Sequence, residues 1–321
     1  MNSCFQLVMA TTASLLLAGS ASAADTFPTR PIHIVVATAA GGSSDAAARV
    51  LAAAMEPELG AKAIVENKVG ASGTIAASFV AKSNPDCYTI LLGTGSTQVL
   101  APTMMKNVPY DPQRDFAPIA MIGRAPFVLF AGPSVKAQSL QELVAAARAR
   151  PGELTFGTTG PSTVYELSAL ALEAAAGVRF QHVPYAGLVP MRVDVSAGVV
   201  DLGVGPVDGG MKSDRLHVIA VLGSKHVAAL PGVASAADAG YPGFDVPAWT
   251  ALFAPAGTPR PVVQKLMVAA RAAMSRQDTR EKLEAIGFDV ENGDDVSLAR
   301  TVDTELNDLR ALMKRQGVVP Q

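Results

Sequence analysis

Charge is scarce in this chain, and the scarcity narrows its function before any motif is read. Charged residues make up 17% of the 321 residues, and the formal net charge is -2. No basic run occurs, so neither nucleic acid nor an anionic membrane surface is expected as a partner. Cysteine is almost absent: only Cys4 and Cys87 occur. Cys4 falls in a segment expected to be removed, which leaves Cys87 alone and no intramolecular disulfide. Cys87 lies beside a hydrophobic run and reads as a small buried apolar residue. The four histidines, His33, His182, His217 and His226, show no metal-ligand spacing, and neither a metal nor a cofactor is expected. His33, inside an apolar strand, and Glu66, at a strand end, read as structural groups. His182, before Val183-Pro184-Tyr185, stands where it could approach a cleft.

Enzyme signatures are missing as well. Gly93-Thr94-Gly95-Ser96-Thr97 puts its serine in the fourth place, so no strained nucleophile elbow is written. No P-loop lysine follows a glycine run, and no G-x-G-x-x-G opens a helix after a strand. After the N-terminal segment no apolar run reaches membrane-spanning length, although mean hydropathy is +0.28. The residues point to capture and not to turnover.

The N-terminal segment reads as a secretory signal over residues 1–23. Val8 to Ala18 is mostly apolar, and Ala21-Ser22-Ala23 has the small-x-small cleavage pattern. MNSCFQ carries no Lys or Arg. Leu17-Ala18-Gly19-Ser20 has serine where a lipoprotein signal needs cysteine, so a soluble periplasmic product starting at Ala24 is expected, with no membrane insertion after cleavage.

What the chain does contain is one construction, repeated. Ile32 to Ala37 is an apolar strand that ends in small residues and Gly41-Gly42. Ser43, Ser44 and Asp45 then open an alanine-rich helix to about Leu59. Ser or Asp is expected as the N-cap. The pattern recurs at Tyr88 to Leu92, followed by Gly93 to Thr97, and again at Leu154 to Phe156, followed by Gly157 to Thr163 and a helix to about Ala176. A strand over Lys62 to Glu66 also runs through Gly70-Ala71-Ser72-Gly73-Thr74 into a helix. Strand-turn-helix units of this rhythm predict an α/β protein with largely parallel sheets. In such sheets ligands sit beyond the carboxyl ends of the strands. Helix starts with backbone N–H donors and hydroxyls, and few charged side chains, suit a carboxylate. The candidate ligand residues are Thr38, Gly41, Gly42, Ser43, Ser44 and Asp45 from the first loop and Thr94, Gly95, Ser96 and Thr97 from the second. The third contributes Thr158, Thr159, Gly160, Ser162 and Thr163, and Tyr185 and Asp208 complete the set.

Six stretches carry a resemblance: RPIHIVVATAAGGSSD, NKVGASGTIAA, PDCYTILLGTGS, NVPYDPQRDFAPIAMI, HVPYAG and PGFDVPAWTALFAPAGTPRPVV. Together with the C-terminal helices they resemble the substrate-binding proteins of tripartite tricarboxylate transporters, the Bug or TctC-like extracytoplasmic solute receptors. The resemblance runs from Asp25 to Gln321. It implies a periplasmic two-lobe clamshell of the type II binding-protein class, with the ligand carboxylate held by amides, hydroxyls and water from the three loops. Implied partners are a small carboxylate and the large and small membrane subunits, and a monomer is implied by analogy. Three departures stand out. The family's PFPPGG is Ala37-Thr38-Ala39-Ala40-Gly41-Gly42 here. VPYKG is Val183-Pro184-Tyr185-Ala186-Gly187, and FDN is Val204-Gly205-Pro206, with Asp208 nearby. The expected lobes are residues 24–124 plus 245–321, and 125–244. Phe127 to Ala131 and Trp249 to Ala254 are the expected crossing strands, and Trp249 would report on the hinge or pack in the core. A carboxylate transport receptor is the first functional reading. A periplasmic sensor of the same fold, feeding a two-component kinase, is the alternative.

Overall fold

A computed structural model describes residues 27–160, 163–207, 215–222, 227, 230–241, 248–316 and 320. The expected signal segment, His226 and the candidates Ser162 and Asp208 lie outside the described residues. Among the described residues eleven strands run in order: β1 Ile32–Val36, β2 Ala63–Asn67, β3 Thr89–Thr94, β4 Phe116–Arg124, β5 Phe127–Ala131, β6 Thr155–Thr158, β7 Gln181–Pro184, β8 Leu202–Pro206, β9 His217–Val221, β10 Trp249–Pro255 and β11 Asp289–Gly293. The helices are α1 Ser43–Leu59, α2 Thr74–Ala81, α3 Ala101–Met104, α4 Leu140–Ala149, α5 Val164–Ala176, α6 Leu188–Ala197, α7 Arg260–Ser275, α8 Gln277–Ala285 and α9 Asp295–Gln316.

The strands form two sheets, and hence two lobes. The first has the order β11-β4-β10-β3-β1-β2, the second β7-β6-β8-β5-β9. β1 runs parallel to β2 and β3, and β6 runs parallel to β7 and β8. Among the described residues every antiparallel pair involves β4, β5 or β10. The sheets are therefore mixed. The parallel pairs anticipated from strand-turn-helix units are where the candidate loops arise. The antiparallel pairs come from the strands that enter or leave the crossing between lobes.

Sequence pattern explains which faces are buried. β5, β8 and β10 are buried along their whole length, in keeping with their nearly continuous apolar runs. In β1, Ile32, Ile34 and Val36 join one apolar cluster with α1 and α7 residues. Val35 points to a second cluster with α2 and α9 residues. That alternation sandwiches the first sheet between two helix layers.

The two expected crossing strands flank the crossing and do not themselves span it. β5 lies wholly in the second sheet and β10 wholly in the first. One passage between lobes is Ala125-Pro126, where Ala125 N–H donates to the Ala248 carbonyl at 2.8 Å. Arg124, the last residue of β4, sits 2.9 Å from Glu291 and 3.6 Å from Glu305. Trp249, opposite Arg124 in register, donates its indole N–H to Glu305 at 2.6 Å and is 1% exposed. It is thus both a core residue and a neighbour of the crossing. Burial pushes the Glu305 carboxyl above its usual range, against the opposing pull of Trp249 and Arg124.

Two helix starts differ from expectation. The N-cap of α1 is Gly42, with no side-chain cap, and Ser43 is already helical. After β3 the chain makes a π-helical turn, Ser96–Leu100, and then the single-turn α3. Thr97 N–H turns back to the Thr94 hydroxyl, and Pro102 has no N–H to continue an α-helical ladder.

Candidate ligand-binding site between the lobes

The three candidate loops emerge from neighbouring strand ends. β1 and β3 pair in parallel with Val36 opposite Leu92, so the first two loops leave the sheet side by side. The third leaves β6 in the other lobe. Ser96 and α5 meet between them: Val164 N–H donates to Ser96 Oγ at 3.4 Å. A hydroxyl from one lobe therefore touches a helix N-terminus from the other.

In the first loop, Thr38 and Gly41 are exposed, and Gly42, Ser43 and Ser44 are half-buried. The first intrahelical bond of α1 is Ala46 N–H to the Gly42 carbonyl. The N–H groups of Ser43 and Ser44 precede it at the positive end of a 17-residue helix. Asp45 plays a different part from the one expected. It is 3% exposed and accepts hydrogen bonds from Gly41 N–H at 3.0 Å, from Arg49 at 2.9 and 3.0 Å and from Asn67 at 2.9 Å. Asn67 also donates to the Thr38 carbonyl at 2.9 Å. Asp45 is the buried tie of the loop, not part of its lining. Burial would raise its pKa, but the hydrogen bonds from Arg49, Gly41 and Asn67 together hold it below the usual value.

The second loop divides in the same way. Thr94 and Ser96 are half-buried, and Gly95 is buried. Thr97 is 1% exposed and belongs to the frame. Its hydroxyl accepts from Thr94 N–H at 3.0 Å and donates to the Thr94 carbonyl at 3.1 Å, while Tyr110 Oη donates to the Thr97 carbonyl.

In the third loop, the candidate Thr158 is 3% exposed, so it is buried in this structure. The residue ends β6, and its carbonyl accepts from Tyr185 N–H at 2.8 Å. Thr159 and Gly160 are half-buried. Thr163 is buried and caps α5: its hydroxyl donates to the Gly160 carbonyl at 2.8 Å and accepts from Glu166 N–H at 3.4 Å. Tyr185 is half-buried and donates to Asp194 at 2.8 Å. Burial, followed by that carboxylate, pushes its phenol up to about 12, so it remains a neutral donor.

One loop of this set was read from the sequence but not assigned to the site. Residues 70–73, beyond β2, stand against both first-lobe loops. A Cβ on Gly73 would lie 2.6 Å from Thr97 Cγ2 and 3.0 Å from Ala37 Cβ. Ala71 and Ser72 hold φ of 46° and 54°, a left-handed conformation costly for residues with a side chain. The signal in the sequence was the Gly70/Gly73 spacing; the strain at Ala71 and Ser72 left none.

The remaining candidates for chemistry are occupied elsewhere. His33 Nδ1 is 2.6 Å from Glu66, so the two are each other's partners on the sheet. His182 Nε2 lies 3.5 Å from Glu173, on the final turn of α5 and away from the helix start that meets Ser96. Cys87 is fully buried, and burial pushes its thiol up to about 12. Among the described residues no group of three or more His, Cys, Asp or Glu could hold a metal ion.

The geometry is a set of helix starts, hydroxyls and backbone donors facing one another from two lobes. The family model described as tripartite tricarboxylate transporter family receptor, TctC, matches residues 47–318. This chain belongs to that family. The receptor is 34% identical over 268 residues to the protein BugT of Bordetella pertussis, covering 82% of each chain. It is similar to the structure of periplasmic binding protein BugD, with a TM-score of 0.85 and 32% identity, over 92% of this chain and 100% of that one. It is also similar to MatC from Rhodopseudomonas palustris with bound malate, with a TM-score of 0.84 and 32% identity, over 89% and 99% of the two chains. The two-lobe architecture of this receptor is thus that of periplasmic binding proteins. Among its described residues, no helix is long and apolar enough to cross a membrane.

Proposed function

We propose that this receptor captures a small carboxylate between its lobes in the periplasm, without turnover, and delivers it to the large and small membrane subunits of a tripartite transporter. The observation that carries this reading is the meeting of Ser96 with the α5 N-terminus across the two lobes, beside the side-chain-uncapped start of α1. Such donors favour a carboxylate without needing a fixed cation. Malate bound to MatC supports the same ligand class. In this reading lobe 1 comprises residues 24–124 plus 245–321, lobe 2 comprises residues 125–244, residues 1–23 direct export, and the receptor is a monomer. A ligand that touches both lobes should favour the closed form. Calorimetric titration with malate and succinate, paired with small-angle scattering, tests the proposal. Binding with a smaller radius of gyration at saturation is expected. Absence of binding by any small carboxylate, or an unchanged radius at saturation, would overturn it.

A further inference from the structure

The outgoing passage from lobe 1 to lobe 2 consists of Ala125 and Pro126, because β4 ends at Arg124 and β5 begins at Phe127. Both sides of it are pinned. In lobe 1, Arg124 stands opposite Trp249 in register, and its guanidinium is tied to Glu291 and Glu305. Ala125 N–H extends that ladder by one more bond, to the Ala248 carbonyl at 2.8 Å. In lobe 2, the Pro126 carbonyl accepts from Val207 N–H at 3.1 Å, and the Phe127 carbonyl from Leu222 N–H at 2.8 Å. Phe127 pairs with Pro206, and its ring centre lies 5.3 Å from that of Tyr165 on α5. Lobe 1 thus holds the chain up to the Ala125 amide, and lobe 2 holds it from the Pro126 carbonyl onward. Between those anchors the main chain turns only at Ala125 and Pro126. The pyrrolidine ring fixes φ of Pro126 near about −65°. It also confines the residue before it to extended backbone. Ala125 is 7% exposed, so close packing restricts it further.

We propose that Ala125–Pro126 is the pivot of lobe closure in this passage, a stiff joint whose proline ring narrows the range of lobe arrangements open to the empty receptor. The inference rests on the proposed receptor reading, in which a ligand touching both lobes favours the closed form. A joint with few accessible states leaves little backbone freedom for the ligand to remove on closing. The ring therefore contributes to affinity from outside the three loops.

The test is a distance measurement by double electron–electron resonance on the full mature chain. Spin labels are placed at Lys82→Cys in lobe 1 and Val199→Cys in lobe 2, both exposed positions. Cys87 is fully buried and so is shielded from the label. The same proteins are titrated calorimetrically with malate and succinate. The wild-type background should give a narrow distribution without ligand that shifts when malate saturates the site. Pro126→Gly should broaden the unliganded distribution, leave the liganded one in place and weaken both acids by about five- to thirtyfold. Pro126→Ala should broaden it less and weaken binding by about two- to fivefold. It covers the case in which Pro126→Gly does not fold. Unliganded distributions of wild-type width in the variants would overturn the inference, as would a lower melting temperature with unchanged width and affinity. Broadening with unchanged affinity would overturn the ring's part in binding. Failure of the wild type to bind any small carboxylate would overturn the receptor reading, while the unliganded widths would still decide whether the joint is stiff.

Discussion

Asp45 and Gln98 stand three residues beyond Gly42 and Gly95 in adjacent loops, both buried, and the protein treats them in opposite ways. Asp45 satisfies both carboxylate oxygens with Gly41, Arg49 and Asn67. Gln98 is 0% exposed, and neither its carboxamide nitrogen nor its oxygen has a hydrogen-bond partner among the described residues. The first loop is thus pinned by a buried charge that joins Gly41 in the loop, Asn67 at the end of β2 and Arg49 in α1. The second is held by the Thr94–Thr97 bonds and by Tyr110, with the Gln98 carboxamide buried beside them. The contrast shows that a buried polar group near a binding loop is not by itself a ligand contact. Its partners decide whether it ties the loop together.

The largest effect that could break this comparison belongs to Asp45. Asp45→Ala leaves the Gly41 N–H, the Asn67 amide and Arg49 without their acceptor, and should lower the unfolding free energy by about 3 kcal/mol. Denaturant titration measures it; a loss below about 1 kcal/mol would mean the tie is dispensable. The pH dependence has a definite sign. Because the folded-state pKa of Asp45 is lowered, its contribution is present above the unfolded value of about 3.9 and is lost as pH falls through the folded one. Wild-type stability should therefore fall more steeply on acidification below about pH 4 than that of the variant.

Ser96 gives the next effect, in affinity and not in stability. It is half-buried, and its hydroxyl accepts one long bond from Val164. Ser96→Ala should weaken succinate or malate binding by about tenfold, one charge-assisted hydrogen bond, and change stability by less than about 0.5 kcal/mol. Comparing melting temperature with affinity separates the two roles. A stability loss with unaltered affinity would make Ser96 a structural cap. Thr158, being buried, is expected to behave more like Asp45 than like Ser96.

The smallest effect sharpens the other half of the comparison. Gln98→Met replaces the unpartnered carboxamide with an apolar side chain of similar length. The variant should be unchanged to about 1 kcal/mol more stable. A loss greater than about 1 kcal/mol in denaturant titration would show that the carboxamide has a partner in solution.

Much of the fold was legible because local signals agreed. The β1 and α1 segments and the β6 and α5 segments fall close to where periodicity, glycines and small polar residues put them. The loops' position at strand carboxyl ends followed from the parallel rhythm. The π turn at Ser96–Leu100 was not legible, because Thr97 turning back to Thr94 competes with helix propagation and leaves no periodicity signal. The left-handed Ala71 and Ser72 were hidden for a similar reason: contacts with neighbouring loops, and not residue preference, hold them there.

By itself the sequence determined the strand-turn-helix rhythm, the absence of cations in the described loops and the family, since these depend on local pattern and residue order. Which hydroxyls line the cleft and which are frame was decided only by tertiary structure. Ser43, Thr97 and Thr163 look alike along the chain. Packing of the helices and the two sheets left Ser43 half-buried and closed over Thr97 and Thr163, whose own bonds to Thr94 and Glu166 are local. The same applies to Arg192 and Gly205, thirteen positions apart in sequence. They meet because α6 packs back across β8, and no local propensity encodes that contact.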